Sequence, residues 1–124
     1  MSVVLIVDDD KDFISLCRVL LQRSGFEILT AYDAESALKL VYQHEPDVIL
    51  LDDMMPGMKG SEMCALLKAD EAWRHIPIIM HTANQHFRDP EYAAQVPADA
   101  LLFKPALPPE IINTIKQMLS RIRV

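Results

Sequence analysis

The sequence predicts an α/β domain in which helices cover both faces of a parallel five-stranded sheet. Short apolar runs alternate along the chain with segments whose apolar residues recur at helical spacing, as in repeated strand–helix units. Several runs, such as VVLIV at residues 3–7, are continuously apolar, which is typical of strands buried on both faces. The 124 residues, 51% of them hydrophobic, fit one domain with its own core, so we expect residues 1–124 to form one unit.

Five short segments are predicted to be the strands of this sheet. They are residues 3–7, 27–31, 47–51, 76–81 and 100–103. Each is followed by a stretch that can cross over the sheet as a helix, and such crossovers are almost always right-handed, which leaves few topologies. In sheets of this kind the functional residues collect at the carboxyl ends of the strands.

The segments between the strands are predicted to be helices. Residues 12–23 carry an apolar stripe at helical spacing. Asp33 can cap a second helix that runs to about residue 44, and residues 61–68 are predicted to be the third. The last helix opens at Pro108, since proline fits the first turn of a helix.

The fourth helix is predicted to be short and to begin near Asp89 and Pro90. Proline has no amide hydrogen and is best tolerated in the first turn, so a helix running through Pro90 would lose a hydrogen bond. Residues 84–88, which precede this proline, are therefore predicted to be loop.

The composition argues against several classes of function. The net charge is −6, from 12 Lys and Arg against 18 Asp and Glu, and an acidic surface is repelled by nucleic acid phosphates. The apolar runs are far shorter than the roughly 20 residues of a membrane span. We therefore expect a cytoplasmic protein that binds neither nucleic acid nor a membrane directly. Cys17 and Cys64 are expected on opposite faces of the sheet, too far apart for a disulfide.

Polar residues follow four of the five predicted strands. The first strand ends in Asp8, Asp9 and Asp10, the third in Asp52 and Asp53, the fourth in Thr82 and the fifth in Lys104. Each feature alone has an ordinary interpretation, since aspartates often cap helices and a threonine or lysine often begins a loop. If these four strands are neighbours in the sheet, however, the side chains converge on one pocket, and this coincidence favours a functional site.

The residue types in this pocket suit phosphoryl chemistry. Clustered carboxylates repel one another and favour a cation between them, and a few carboxylate oxygens suit Mg²⁺. A lysine can balance the remaining charge or hold a phosphoryl oxygen, and a threonine hydroxyl can donate to another such oxygen. One carboxylate can then act as a nucleophile and form an acyl phosphate.

Four sequence blocks resemble those of response-regulator receiver domains of two-component signalling systems. They are VLIVDDD at residues 4–10, LLDDMMPGMKG at 50–60, MHTA at 80–83 and FKP at 103–105. The spacing between the blocks also fits, so the resemblance covers essentially the whole chain. It implies a flavodoxin-like (βα)5 fold with the strand order 2-1-3-4-5.

The resemblance also implies roles for individual residues. Asp52 matches the phosphoacceptor, because the proline of the family lies four positions later and Pro56 is there. The implied Mg²⁺ ligands are Asp8, Asp9, Asp52 and the backbone carbonyl of Met54. The implied phosphoryl-binding groups are Thr82, the Ala83 N–H and Lys104, and the bond before Pro105 is expected to be cis. Residues that modulate the switch are expected at Met54, Asn84 and Leu101.

The function implied by this resemblance is a switch that catalyses its own phosphorylation and dephosphorylation, without turning over an external substrate. A histidine kinase or histidine phosphotransfer protein would supply the phosphoryl group. The output would pass to another protein or to a linked domain outside this chain, through a surface formed by the fourth and fifth helices and the fifth strand.

Three positions depart from the family or lack an obvious role. Asp53 stands where the family has an apolar or aromatic residue, and we expect a solvated carboxylate on the rim, or else added negative charge near the site. Leu101 stands where a tyrosine or phenylalanine often couples to the threonine, and leucine cannot make a phenolic hydrogen bond. His81 is expected to be a hydrogen-bonded core or rim residue facing away from Thr82.

Two other functions remain open at the level of sequence. A phosphorylation-independent interaction module of the same fold is one, although every matched site residue is intact in this chain. A Mg²⁺-dependent phosphohydrolase is the other, but such enzymes need a second acid two residues after the nucleophile, and that position is Met54.

Overall fold

Parallel pairing joins the strands of this computed structural model in the order β2-β1-β3-β4-β5, which confirms the predicted topology. The structure describes residues 1–122. Its strands are β1 (Val3–Val7), β2 (Glu27–Ala31), β3 (Val48–Leu51), β4 (Ile78–Thr82) and β5 (Ala100–Phe103). Its helices are α1 (Lys11–Arg23), α2 (Ala34–His44), α3 (Gly60–Ala69), α4 (Pro90–Ala94) and α5 (Pro108–Ile122), and a 3-10 helix at Gln85–Arg88 precedes α4.

The apolar side chains of the strands alternate between two cores, one on each face of the sheet. Val4 and Ile6 of β1 pack with residues of α1 and α5, whereas Leu5 and Val7 of the same strand pack with residues of α2 and α3. Both faces are therefore covered, which explains why the strands are continuously apolar. Cys17 and Cys64 are buried in different cores and are free, as the sequence predicts.

The segment after β4 confirms one prediction and corrects another. Helix α4 begins at Pro90, and the Asp89 side chain caps it by accepting a hydrogen bond from the Glu91 N–H. Residues 84–88 are not simply loop, because a 3-10 helix covers Gln85–Arg88. The Asn84 side chain caps this helix, and its Phe87 is buried against the sheet, so an Asn cap and one apolar anchor replace the irregular chain that the sequence predicts.

Strand β4 begins at Ile78, two residues later than predicted, since Pro77 has no amide hydrogen to offer a neighbouring strand. None of the helices within residues 1–122 is long and apolar enough to cross a membrane.

Candidate functional site at the carboxyl edge of the sheet

The carboxyl ends of β1, β3 and β5 bring one lysine and two aspartates into direct contact. Lys104 Nζ lies 2.8 Å from Asp8 Oδ2 and 3.3 Å from Asp52 Oδ2. Asp8 and Asp52 are buried, with only 1% and 4% of their surface exposed. The strand order places β1 and β3 side by side, and this adjacency brings together residues that lie far apart in the sequence.

Three carboxylates at this edge form a cluster that suits a divalent cation. Asp8, Asp9 and Asp52 each offer an oxygen, and these oxygens all lie within 4.8 Å of one another. The Asp10 N–H donates to Asp8 Oδ1 over 2.9 Å, which orients the Asp8 carboxylate. Oxygen-only ligands beside open solvent at Asp9 fit Mg²⁺, which keeps several waters when it binds proteins.

The charges in the site are not balanced by the protein itself. Burial and the negative charge of Asp8 raise the pKa of Asp52 to about 6, although the charge of Lys104 acts in the opposite direction. Burial alone would lower the pKa of Lys104, but hydrogen bonding to Asp8 and the charge of Asp52 outweigh it and raise that pKa. A single ammonium group therefore faces more negative charge than it can neutralise.

The third aspartate of the DDD run has a different task from the other two. Asp10 Oδ1 accepts hydrogen bonds from the Asp12 and Phe13 N–H groups over 3.0 and 3.1 Å, so it caps helix α1. The run thus combines a carboxylate cluster and a helix cap, and the helix-cap interpretation holds for Asp10.

Gly60 lets the start of α3 approach the end of β3 closely. A Cβ at this position would collide with the carbonyl oxygen of Asp52. The Gly60 N–H donates to the Asp53 carbonyl over 3.1 Å, which holds the first turn of α3 against the Asp52 backbone. In the sequence Gly60 is only the last residue of a motif, and the close approach becomes visible only in three dimensions.

Thr82 ends β4 in a fully buried position beside the site. Its Oγ1 accepts a hydrogen bond from the Asn84 N–H over 2.9 Å, and its carbonyl accepts one from the Lys104 N–H over 2.9 Å. The next residue, Ala83, is exposed. The Lys104–Pro105 peptide bond is cis, as the resemblance implies.

The prediction that Asp53 is a solvated carboxylate on the rim is wrong. Asp53 is only 1% exposed, and both of its oxygens have partners. Oδ1 accepts from the Ser61 N–H in the first turn of α3 over 2.9 Å, and Oδ2 accepts from Asn84 Nδ2 over 3.0 Å. The Ser61 N–H at the start of α3 and the Asn84 amide compensate the cost of burying this carboxylate. The sequence alone does not show that Asn84 lies next to Asp53.

The prediction that His81 is hydrogen-bonded is also wrong. The residue is buried, and neither ring nitrogen has a partner among the described residues. Its ring centroid lies 5.2 Å from that of Phe13 in α1. Burial and the positive charge of Lys104 lower the pKa of His81 to about 4, so the ring is neutral at physiological pH.

Two of the predicted modulating positions differ greatly in exposure. Met54 is 59% exposed, and its backbone slightly lowers the pKa of the nearby Asp52 carboxyl, against the larger raising effects of burial and Asp8. Leu101 is half-buried and packs below the segment that follows β4. It lines a cavity of about 130 Å³ together with Met80, Phe87, Ala93, Val96, Ala98 and Ala100.

The sheet order, the half-buried Lys104 and the carboxylate cluster together define a flavodoxin-like domain with an acidic site. A sequence model of the response regulator receiver domain matches residues 4–116, and the chain belongs to this family of two-component signalling domains.

Similar proteins extend this assignment. The chain is 35% identical over 121 residues to the alkaline phosphatase synthesis transcriptional regulatory protein PhoP of Bacillus subtilis strain 168, covering 98% of this chain and 50% of PhoP. The chain therefore spans about half the length of that relative.

Solved structures share the fold. Chemotaxis protein CheY4 of Vibrio cholerae aligns with a TM-score of 0.86 at 30% identity, covering 96% of this chain and 99% of CheY4. The signal receiver domain of a signal transduction histidine kinase from Syntrophus aciditrophicus aligns with a TM-score of 0.91 at 26% identity, covering 98% and 92% of the two chains.

Proposed function

We propose that Asp52 accepts a phosphoryl group from a histidine kinase or a histidine phosphotransfer protein, in a Mg²⁺-dependent reaction, and that this modification switches an output surface. The observation that carries the proposal is the buried Asp52 carboxylate, 3.3 Å from Lys104 Nζ and within 4.8 Å of oxygens from Asp8 and Asp9. A nucleophile, a cation for the phosphoryl oxygens and a set of metal ligands therefore meet at one point.

Asp52 acts as the nucleophile in this proposal. A carboxylate oxygen attacks the phosphorus of a phosphohistidine, the P–N bond breaks, and the imidazole leaves with the bonding electron pair. Hydrolysis reverses the state of the site, because water attacks the phosphorus and Asp52 leaves as a carboxylate together with inorganic phosphate. Lys104 stabilises the negative charge on the transferring oxygens in both steps.

Asp8, Asp9 and Asp52 would hold the Mg²⁺ ion, together with the Met54 carbonyl implied by the family. Bound there, the ion neutralises the carboxylates and the phosphoryl oxygens. The negative charge of these carboxylates exceeds what Lys104 alone can balance, and this supports the binding of a divalent cation.

The switch would begin at Thr82 and travel along the segment that follows β4. In the phosphorylated state the Thr82 hydroxyl would donate to one phosphoryl oxygen and the Ala83 N–H to another, and we propose that the movement of Thr82 toward the phosphoryl group breaks its present bond with the Asn84 N–H. The 3-10 helix and α4 begin within a few residues of Thr82, and we propose that their rearrangement alters the α4–β5–α5 surface.

The output partner in this proposal is another protein or a linked domain. PhoP is a transcriptional regulatory protein twice as long as the matched region, which is consistent with an output domain outside residues 1–124. The acidic net charge of −6 supports a protein partner and not direct contact with nucleic acid. We propose a cytoplasmic location, since response regulators generally work there.

The test is the intact mass of the protein after incubation with acetyl phosphate and Mg²⁺. Wild type should gain one phosphoryl group, which base removes, and Asp52→Asn should gain none. Asp33→Asn, which loses the same charge at the cap of α2, is the matched control and should be phosphorylated like wild type. No gain in wild type, either with acetyl phosphate or with a phosphorylated histidine donor, would favour a phosphorylation-independent interaction module.

A further inference from the structure

A partly buried hydrogen bond joins the loop between β3 and α3 to the segment that follows β4. Asn84 Nδ2 donates to Asp53 Oδ2 over 3.0 Å, and we call these two residues the Asp53–Asn84 pair. The other carboxylate oxygen, Oδ1, accepts from the Ser61 N–H, so Asp53 is fixed to the first turn of α3. The pair therefore ties the segment after β4 to a rigid helix start.

Asn84 uses three of its polar groups at once. Its backbone N–H donates to Thr82 Oγ1 over 2.9 Å, its Nδ2 donates to Asp53, and its Oδ1 accepts from the His86 N–H over 3.0 Å. The amide group of Asn84 is bound to Asp53 through Nδ2 and to the His86 N–H through Oδ1. The side chain therefore cannot rotate without breaking either the bond to Asp53 or the cap of the 3-10 helix. Asp53 thus fixes the orientation of Asn84, and Asn84 holds the Thr82 hydroxyl.

We propose that Asp53 is a positioning residue that, through Asn84, holds Thr82 and the 3-10 helix in their present arrangement and so opposes the switch. This inference rests on the proposed function, in which Thr82 Oγ1 leaves the Asn84 N–H for a phosphoryl oxygen. A hydrogen bond to a buried carboxylate is stronger than one between neutral groups. Breaking the Asp53–Asn84 pair should therefore make the segment after β4 more mobile and should speed phosphorylation of Asp52.

Hydrogen-bond polarity allows the pair to be broken and restored. In Asp53→Asn the carbonyl oxygen can still accept from Ser61, but an amide group then faces the amide of Asn84, and two donors meet. In Asn84→Asp two carboxylates meet. The double variant Asp53→Asn/Asn84→Asp reverses the polarity, because the new amide donates to the new carboxylate, and it has the same net charge as wild type.

The first readout is amide hydrogen exchange in the unphosphorylated protein, measured by NMR. Each single variant should exchange the His86 amide about tenfold faster or more, because its acceptor on residue 84 is no longer held. In Asp53→Asn the Ser61 amide is an internal control that should keep its protection. The double variant should return the His86 amide to within about threefold of wild type.

The second readout is the rate of phosphorylation by acetyl phosphate with Mg²⁺. Each single variant should be phosphorylated several-fold faster than wild type, and the double variant should return close to the wild-type rate. Asp33→Asn is the matched charge control and should change neither readout. If Asn84→Asp does not fold, Asp53→Ala removes the acceptor of the Asn84 amide but keeps Asn84 as the cap of the 3-10 helix, and it should give the same result as Asp53→Asn.

Two results would overturn the inference. One is wild-type exchange at the His86 amide in both single variants. The other is a double variant that behaves like the single variants or worse, since a merely structural role for Asp53 would not be rescued by reversed polarity. Failure of the proposed function would look different, because no variant would then accept phosphate while the exchange rates would still report on the pair.

Discussion

Two lysine–aspartate pairs lie at opposite ends of the sheet, and they differ in how well their charges are matched. At the amino ends of β4 and β5, Lys68 Nζ lies 2.7 Å from Asp99 Oδ2 and also donates to the carbonyls of Arg74 and Ile76. Asp99 Oδ2 accepts a further bond from the Ile78 N–H over 2.8 Å. An ammonium group has three N–H donors, so Lys68 is saturated and its charge has one partner.

At the carboxyl end of the sheet the same chemical pair is unbalanced. Lys104 contacts both Asp8 and Asp52, and Asp9 lies in the same cluster. Burial and Asp8 raise the pKa of Asp52 to about 6, whereas the Lys68–Asp99 pair holds no surplus carboxylate among the described residues. Removing one partner of a matched pair destabilises the fold, whereas a surplus of negative charge creates affinity for a cation at the cost of stability.

The largest effect should come from breaking the matched pair. Lys68→Met leaves Asp99 without its cation and two carbonyls without a donor, so the free energy of unfolding should fall by about 3 kcal/mol. Urea denaturation measures this loss. The folded variant should still accept phosphate from acetyl phosphate, because the pair lies at the other end of the sheet. A loss of phosphorylation in the folded variant would contradict the division between the two pairs.

The unbalanced charge at Asp52 should make the free energy of unfolding depend on pH. The direction should be opposite to that produced by the carboxylate of an ordinary salt bridge. Without metal, the folded protein holds a proton on Asp52 up to about pH 6, whereas the ordinary pKa is 3.8. As the pH rises through this window, Asp52 loses its proton in the folded state, and the free energy of unfolding falls. Asp52→Asn should therefore become more stable than wild type by about 2–3 kcal/mol above the window, and the difference should shrink below it.

The appropriate measure is the difference in the free energy of unfolding between wild type and Asp52→Asn. The titration of His81 also makes stability depend on pH, but in the opposite direction to that of Asp52. The pKa of His81 is lowered from 6.5 to about 4, so the unfolded chain takes up a proton first and acid destabilises the fold. His81 is present in both proteins, so its contribution cancels. Urea denaturation in EDTA at several pH values gives the curve, and a pH-independent difference would show that Asp52 is not destabilised by its neighbours.

The topology and the convergence of the site could be predicted because periodicity and strand ends carry that information. Continuously apolar strands required a sheet covered on both faces, and polar residues at four strand ends placed Asp8, Asp52 and Lys104 at one edge. The short fourth helix followed from Pro90 alone, since proline restricts helices locally.

The two errors at the site, at Asp53 and His81, concern side chains whose contacts are distant in sequence. The sequence predicts a solvated Asp53, but its burial depends on Ser61 and Asn84, and the latter lies 31 positions away. It also predicts a hydrogen-bonded His81, yet the ring packs against Phe13 of another element. Alternation along a strand predicts which face of the sheet a side chain points to, but not which groups it contacts there. These contacts could therefore not be predicted from a single sequence.

The most direct test of the unbalanced cluster is calorimetric titration of the metal-free protein with Mg²⁺. Asp9 belongs to the cluster and the adjacent Asp10 caps α1, so Asp9→Asn and Asp10→Asn remove the same charge from neighbouring positions. Wild type should bind one Mg²⁺, Asp9→Asn should bind about tenfold more weakly or worse, and Asp10→Asn should stay within about threefold of wild type. Absence of binding in wild type, or equal losses in both variants, would contradict the account.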